Sequence, residues 1–431
     1  MHVSFLYLHW RYNLLEAGFE RRARAFRPIN DFPISISPHQ SNTMTITGFN
    51  KFISDKYEDL YSTMHLSEFA FKKVPWDIAS YIYSCMHSQG QDRDKWLQPF
   101  IRMLLLFRKH AVNVIPIFDG KAPPEKAEER ADRAEQKTKS DEKCIGLRLD
   151  LQRFKTSGIK SPELVKFMKQ IRIREVNEER AFHFRSLLHA SKSKDEADEG
   201  IIVGDDVKIE PSKIEAEITG RERNLFTVAP EDIILLKNLL NVFKIPFFQA
   251  PDEAEALGCY LVKQGLADAI YSLDSDCIAY GPSMIINNID IATGDCRILR
   301  HAEVCDALEL TPSQLVDVCI LCGTDYNRHV KNIKGVGPVR AVKLIQEYKT
   351  VEAADNAKKL PRDNNDDPDT GLRYSRNIEL FSLSYPDIKT VPVWDLRIDT
   401  KEIEAFISKH ELYCNMDEIK ELWQPPKITF E

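Results

Sequence analysis

Long apolar runs are missing from this sequence of 431 residues. No stretch of about 18 consecutive apolar residues occurs, so we expect no membrane-spanning helix. The N-terminal segment MHVSFLYLHWRYNLLEAGFERRARAFR is partly apolar and partly basic. It has neither a clean apolar core nor a small-residue cleavage site, which argues against a secretory signal.

Regular cysteine spacing is missing too. The 9 cysteines are an odd number, and the single C-x-x-C, Cys319 and Cys322, is not followed by a second Cys or His pair. This argues against a zinc site of the usual spacing. We predict that both thiols are buried in a helix and that the compartment is reducing, either cytosol or nucleus.

A strong basic excess is also absent, since the formal net charge is −7. Taken over the whole chain, this charge argues against nonspecific binding to nucleic acid. The charges segregate, however. Between Lys121 and Arg185 there are 17 basic and 12 acidic residues, whereas the following SKSKDEADEGIIVGDDVKIEPSKIEAEITG is mostly acidic and poor in aromatics. We expect this second segment to be a mobile insert.

The sequence does contain short apolar runs that alternate with helical patterns. Five runs indicate strands: KKVPWDIAS, AVNVIPIFDGK, KIPFFQAP, ADAIYSLDSD and SMIINNID. Helices are predicted in DKWLQPFIRMLLLFRKHA, PEDIILLKNLLNVF and DEAEALGCYLVKQG. This alternation predicts an α/β fold with a mostly parallel central sheet flanked by helices. Pro75 removes a backbone donor, so its strand either pairs only from Trp76 onward or is irregular at Pro75.

The strand pattern stops between Asp119 and Pro230. Since a compact domain does not carry so long a bare loop, we interpret this stretch as an insertion. Its basic first part is predicted to be helical and its acidic second part disordered. Residues 311–350 have a helix–turn–helix pattern, PRDNNDDPDTG is a solvated loop, and the remainder is expected to cover the core with short helices and extended pieces.

Acidic residues mark the ends of the predicted elements. An acid at a helix start is explained by the helix dipole, and we interpret Asp252 in this way. That explanation does not extend to the acids at strand ends, which meet at one edge of a parallel sheet. Seven acids are candidates: Asp77, Asp119, Glu253, Glu255, Asp274, Asp276 and Asp325. Gathered together, they would repel each other unless cations neutralised them, and oxygen-only ligands favour Mg²⁺ or Mn²⁺.

Six motifs follow one another in the chain: WDIASYIY, FDGKAPPEK, APDEAEA, LDSDCIAYG, LCGTDYN and IKGVGPVRAVKLI. In content and order they resemble the structure-specific 5′ nucleases of the flap endonuclease group, from about Met44 to the low 400s. The resemblance implies a PIN-like 5′-nuclease fold with a helical arch insertion and a helix–two-turn–helix DNA-binding subdomain. It also implies two Mg²⁺ ions, for which Mn²⁺ substitutes. One ion would be bound by Asp77, Asp119, Glu253 and Glu255, and the other by Asp274, Asp276 and Asp325.

The resemblance also assigns roles to three residues near the insertion. Lys126 and Arg133 correspond to arch residues that reach the scissile phosphate, where a cation neutralises transition-state charge. The alternative is that both belong to a solvated helix. Tyr83 corresponds to an aromatic residue that stacks on the base beside the cut. By itself, such a tyrosine would more often belong to a core.

The glycine-rich segment NIKGVGPVRAVKLI resembles the family's helix–two-turn–helix, which grips duplex backbone and holds a K⁺ ion on loop carbonyls. Glycines allow close approach to a phosphate, and the following helix N-terminus adds positive potential. A helix C-cap is the alternative interpretation of these glycines. The DNA-binding candidates are Tyr83, Gly48, Lys334, Gly335, Gly337, Arg340 and Lys343.

Three features depart from the family pattern. Residues 1–43 have no counterpart, so they are either an upstream start or a real extension, and we expect a protein begun at Met44 to be fully active. The ending WQPPKITFE lacks the Gln-plus-aromatics tail that docks on sliding clamps, so we do not expect clamp binding. The acidic insert either mimics DNA and inhibits the enzyme or is simply tolerated.

These patterns predict the following organisation: an N-terminal extension at 1–43, nuclease regions at 44–121 and 230–310, an arch with the acidic insert at 122–229, the helix–two-turn–helix at 311–350 and a C-terminal wrap at 351–431. The function expected from the resemblance is that of a monomeric 5′-flap endonuclease and 5′–3′ exonuclease in DNA replication, repair or recombination. It would act in the nucleus or at another site of DNA replication, including a viral one. The alternatives are an RNA-cleaving endonuclease of the same fold and a non-catalytic DNA-binding scaffold.

Overall fold

The computed structural model describes residues 46–89, 94–187, 207–223, 225, 227–327, 336–361, 371–382, 384–395 and 397–423. A seven-stranded sheet crosses the molecule in the order β1-β7-β6-β5-β2-β3-β4. Its strands are β1 (Tyr61–His65), β2 (Lys73–Asp77), β3 (Asn113–Phe118), β4 (Phe248–Gln249), β5 (Ile270–Tyr271), β6 (Met284–Ile289) and β7 (Asp295–Arg300).

Helices flank this sheet and extend from it. In the first half of the chain they are α1 (Phe49–Lys56), α2 (Ala79–Gln89), α3 (Leu97–Lys109), α4 (Ala127–Ser157), α5 (Pro162–Leu187), α6 (Pro211–Arg223) and α7 (Pro230–Val242). In the second half they are α8 (Ala254–Lys263), α9 (Asp276–Tyr280), α10 (His301–Ala307), α11 (Pro312–Cys322), α12 (Pro338–Tyr348), α13 (Val351–Asn356), α14 (Tyr374–Phe381), α15 (Thr400–Lys409) and α16 (Met416–Trp423). Within the described ranges, none of the helices is both long and apolar enough to cross a membrane.

Five strands, β6, β5, β2, β3 and β4, run parallel to one another, which confirms the predicted mostly parallel sheet. The central strands are buried because helices cover both faces. Trp76, Val114 and Ile117 are at most 1% exposed. The antiparallel strands β1 and β7 at the other edge were not among the predicted strands. In YSTMH and DCRILR, apolar and polar residues mix without a strong strand signal.

Pro75 lies inside β2, and neither interpretation of it holds completely. β2 pairs with β3 from Lys73 to Asp77 without a register shift, so the strand is regular through the proline. On its other side, β2 pairs with β5 only at Trp76. The missing backbone donor is therefore tolerated in a strand that is fully paired on one side alone.

The insertion forms three helices with their own apolar core. α4 and α5 confirm the predicted helical first part. α6 shows that the expected disorder of the acidic part was wrong for Pro211–Arg223; residues 188–206 lie outside the described residues. Ile214 and Ile218 on α6 are 0% exposed and pack with Leu147 and Phe167. The two isoleucines lie four residues apart on one face of α6 and anchor it to this core, whereas its other faces are charged.

Ion pairs join α6 to the basic helices beside it. Acids of α6 meet cations of α4 and α5 in the pairs Lys155–Glu215, at 2.6 Å, Arg148–Glu222 and Arg174–Glu217. The acidic composition that suggested a mobile tract therefore serves here to match the basic charge of the arch helices.

Helix α11 begins with clear capping signals. At the start of α11, the Thr311 hydroxyl accepts a hydrogen bond from Gln314 N, and the Gln314 side chain accepts one from Thr311 N. Pro312 follows at the first helical position. Cys319 and Cys322 are buried on this helix, as predicted. Residues 328–335, between α11 and α12, lie outside the described residues.

Candidate active site

Two acids are placed at the carboxyl ends of neighbouring parallel strands. Asp77 is the last residue of β2, and Asp274 follows β5 by three residues. Ser272 connects the two positions: its hydroxyl donates to Asp77 Oδ2 at 2.8 Å and accepts from the Asp274 backbone N–H at 3.0 Å. Asp274 Oδ1 in turn accepts from the N–H of Asp276, the first residue of α9. The sheet edge therefore gathers three carboxylates.

The next strands bring a second group of acids to the same edge. Asp119 directly follows β3, and its Oδ1 accepts from the Ala254 N–H at 2.9 Å, at the start of α8. Gly120 allows this close approach, because a Cβ there would lie 2.1 Å from the Ala250 carbonyl oxygen. Glu253, immediately before α8, is thereby placed beside Asp119.

Burial and mutual repulsion raise the pKa values of several of these acids. Burial, and then the charge of Asp119, raises the pKa of Asp77 to about 7. Burial followed by the charge of Glu253 raises the pKa of Glu255 well above its usual range. Burial also raises the pKa of Glu253, and the charge of Asp274 adds to this shift. Such shifts arise where desolvated carboxylates face one another.

Lys126 lies among the carboxylates. Its side chain precedes α4, is 8% exposed and places Nζ 2.5 Å from Glu253 Oε1. The same atom is 4.0 Å from Glu255 Oε1 and 3.8 Å from Asp325 Oδ2. Although burial alone would lower the pKa of Lys126, the nearby Glu253 and Glu255 raise it well above its ordinary value. The ammonium group therefore supplies positive charge that the acids need.

Arg133 reaches the cluster from the second turn of α4. Its Nη2 donates to Asp325 Oδ2 at 3.0 Å, and Asp325 is 1% exposed. Its Nε contacts Glu129, one turn earlier on the same helix. Lys126 and Arg133 are therefore not two charges on a solvated helix, since both meet the acid cluster.

The donor set is suited to a hard divalent cation. Its ligand atoms are carboxylate oxygens, which Mg²⁺ and Mn²⁺ prefer, and the cluster already draws in a lysine ammonium and an arginine guanidinium. In the conformation observed, no three acidic, His or Cys side chains of the described residues are arranged to hold a metal ion. Lys126 lies where the carboxylates converge. The assignment of the seven acids as metal ligands therefore stays a prediction.

Tyr326 is a site residue that the motif analysis did not identify. It is 1% exposed; its hydroxyl donates to Glu253 Oε2 and lies 2.9 Å from the Tyr280 hydroxyl. Its ring lies beneath Lys126, with Nζ 5.1 Å from the ring centroid. Its position next to Asp325 in LCGTDYN was the one available signal.

The structure describes five of the seven DNA-binding candidates, namely Tyr83, Gly48, Gly337, Arg340 and Lys343. Tyr83 on α2 is 56% exposed, so it is not a core residue. Gly48 precedes α1 in the left-handed region, at φ 72°, and a Cβ there would lie 3.8 Å from Pro338 at the start of α12. Gly337 precedes α12, whose residues Arg340 and Lys343 are exposed. Lys334 and Gly335 lie outside the described residues.

Comparison with protein families gives two matches. The model of the XPG N-terminal domain matches residues 44–140, and that of the XPG I-region matches residues 244–325. All seven acids, Lys126 and Arg133 lie within these two segments. In these two segments the chain has the domains of the structure-specific 5′-nuclease family. It is a structure-specific DNA nuclease, and thus a hydrolase, of a family whose members are generally metal-dependent.

Individual relatives agree with this assignment. The chain is 29% identical over 326 residues to a probable RAD2-like endonuclease, 369L, of Invertebrate iridescent virus 6, covering 72% of each chain. It is 37% identical over 121 residues to flap endonuclease 1 of Methanosphaera stadtmanae, covering 27% of this chain and 36% of that protein. The catalytic core of Rad2 in complex with DNA substrate has a TM-score of 0.51 at 17% identity, covering 88% of this chain and 98% of that one. This structural likeness confirms the nuclease fold.

Proposed function

We propose that this nuclease cuts 5′-flapped DNA and degrades DNA from its 5′ end, by a mechanism that uses two divalent metal ions. The observation that carries the proposal is the convergence of acids from β2, β3, β5, α8 and α9 around the Lys126 ammonium group. Buried like charges are costly unless cations compensate them. A phosphodiester substrate and its counter-ions fit that requirement.

In the proposal, which follows the family resemblance, the acids divide into two sets, one for each metal ion. The first set is Asp77, Asp119, Glu253 and Glu255, and the second is Asp274, Asp276 and Asp325. Mg²⁺, or Mn²⁺ in its place, would supply Lewis acidity when bound, lowering the pKa of the attacking water and neutralising the leaving oxygen. Ser272 and the Ala254 N–H fix the carboxylates of Asp77 and Asp119, so the ligand oxygens are oriented in advance.

Lys126 and Arg133 act on the phosphate. Both side chains reach the acid cluster from the base of the arch, so a phosphate bound there comes within their range. Their N–H donors hold its non-bridging oxygens and neutralise charge in the transition state. Tyr326 keeps Lys126 at this position through its ring.

Contacts at a distance from the cleavage site hold the DNA in place, and they do not depend on its base sequence. The exposed Tyr83 ring stacks on the base beside the scissile phosphate, because every base offers a ring face. The N-terminus of α12, with Gly337, Arg340 and Lys343, binds the duplex backbone, and Gly48 packs against its first turn. The proposal adds Lys334, Gly335 and a K⁺ ion to the groups that bind the duplex backbone here.

The relatives suggest a biological setting. Curated relatives include endonucleases of Invertebrate iridescent viruses 6 and 3, so we propose that this protein acts where viral DNA is replicated, repaired or recombined. It is expected to work there as a monomer.

The deciding experiment is a cleavage assay with a labelled 5′-flapped duplex, in Mg²⁺ and in EDTA, beside single-stranded RNA of matched length. The wild-type protein should cut the flap only with the metal, and Asp274→Ala should not cut it. Asp306→Ala is a matched control, because Asp306 is an exposed acid of α10. Preferential cutting of the RNA would favour the RNA endonuclease, and unchanged activity of Asp274→Ala would refute the assigned acid cluster.

A further inference from the structure

Glu129 is a buried acid that the proposed mechanism does not use. It lies in the first turn of α4 and is 2% exposed, whereas its neighbours Glu128 and Arg130 are exposed. Glutamates are rarely buried this fully without a charged partner. Its burial at the base of the arch, beside the acid cluster, indicates a specific contact.

That contact is with Arg133, one turn further along the helix. The guanidinium Nε meets Glu129 Oε1, while Nη2 donates to Asp325 Oδ2 at 3.0 Å. The two acids are 2% and 1% exposed, whereas the Arg133 side chain is 45% exposed. A planar guanidinium carries five N–H donors in a fixed fork, so fixing one side determines where the other donors point.

We infer that Glu129 is a positioning residue for Arg133. It holds the Nε side of the guanidinium from within the arch, so that the Nη side faces the acid cluster and a phosphate bound there. When a phosphate oxygen replaces Asp325 as the acceptor, Glu129 keeps the group in place. The inference rests on the proposed function, because it gives Glu129 a role in cleaving DNA.

A general helix-dipole effect is the competing explanation. Acids in the first turn stabilise a helix through its dipole, and Glu128 and Glu129 both lie there. Because Glu128 is exposed and has the same charge on the same turn, Glu128→Gln is a matched control. A dipole effect would appear in both variants, whereas positioning of Arg133 would appear in Glu129→Gln alone.

The test measures single-turnover cleavage of the flapped duplex at saturating Mg²⁺ for Glu129→Gln, Arg133→Ala, the double variant and Glu128→Gln. We expect Glu129→Gln to slow cleavage by about 10- to 100-fold, because a small misplacement of a reacting group has effects of this size. Binding of the duplex should change by less than about threefold, since a positioning loss affects the chemical step more than affinity. The double variant should be no slower than Arg133→Ala, because Glu129 acts through Arg133.

Each outcome decides the role. Rates for Glu129→Gln equal to those for Glu128→Gln, or losses that multiply in the double variant, would overturn it. If Glu129→Gln unfolds, Glu129→Asp keeps the charge but withdraws the carboxylate by one methylene group, and its rate should also fall only when Arg133 is present. A wild-type protein that cuts no flap would overturn both the proposed function and this role, whereas a cutting wild type with an unaffected Glu129→Gln overturns the role alone.

Discussion

Replacing Asp77 by asparagine should stabilise the metal-free protein and inactivate it. The Asp77 carboxylate is 4% exposed, and burial and the charge of Asp119 raise its pKa from 3.8 to about 7. The folded protein therefore holds this proton more tightly than the unfolded chain does. As the pH rises, folding loses stability from about pH 4, and the loss is complete above pH 7. The difference between the pKa of 3.8 in the unfolded chain and about 7 in the folded protein corresponds to a penalty on the order of 4 kcal/mol.

Thermal unfolding in EDTA at pH 5 and at pH 8 measures this penalty. Asparagine has nearly the same shape but carries no charge. Its carbonyl oxygen can still accept from the Ser272 hydroxyl, whereas the Ala79 N–H, which donates to the other carboxylate oxygen of Asp77, loses its acceptor and reduces the gain. At pH 8 we expect Asp77→Asn to unfold several degrees above the wild type, and at pH 5 the gain should be much smaller. Cleavage in Mg²⁺ should be lost, because a ligand charge is missing.

The exposed Asp306→Asn controls for a change in net charge and should not alter the unfolding temperature at either pH. A lower unfolding temperature for Asp77→Asn at pH 8, or an equal gain at both pH values, would contradict the electrostatic reasoning. The acid cluster would then not store repulsion in the metal-free state.

Three further predictions concern the supports of the site. Gly120→Ala should lower both the stability of the protein and the rate of cleavage, because the new Cβ would lie 2.1 Å from a backbone oxygen. Gly146→Ala is the control: a Cβ there has nothing within 4 Å, so it should stabilise α4 by about 1 kcal/mol. Thermal unfolding and the flap-cleavage assay compare the two variants. Tyr326→Phe removes the donor to Glu253 but keeps the ring, so cleavage should fall by about 10-fold; an unchanged rate would remove Tyr326 from the site. Ile218→Asp places a charge in the core of the insertion, and limited proteolysis should then cut the arch while the rest of the chain stays resistant.

The sequence predicted the elements whose signals are local. Apolar runs without alternation identified β2 and β3, and helical periodicity identified α7 and α11. The strands β1 and β7 were not predicted because YSTMH and DCRILR mix apolar and polar residues and lack the continuous apolar run that marked β2 and β3. Helix α6 was not predicted, because its acidic residues form ion pairs with cations far away in the chain, such as Lys155. A prediction of disorder from the composition of one segment cannot take account of a partner about 60 residues away.

The sequence by itself determined which acids stand at the ends of parallel strands, and therefore that Asp77 and Asp274 should meet at one sheet edge. Only the tertiary structure decided what lies between those acids. Lys126, Arg133 and Tyr326 reach the cluster from other elements, and Glu129 is buried although it stands among exposed charges. Strand direction follows from local pattern, whereas the burial and charge partners of a side chain depend on which distant surfaces pack around it.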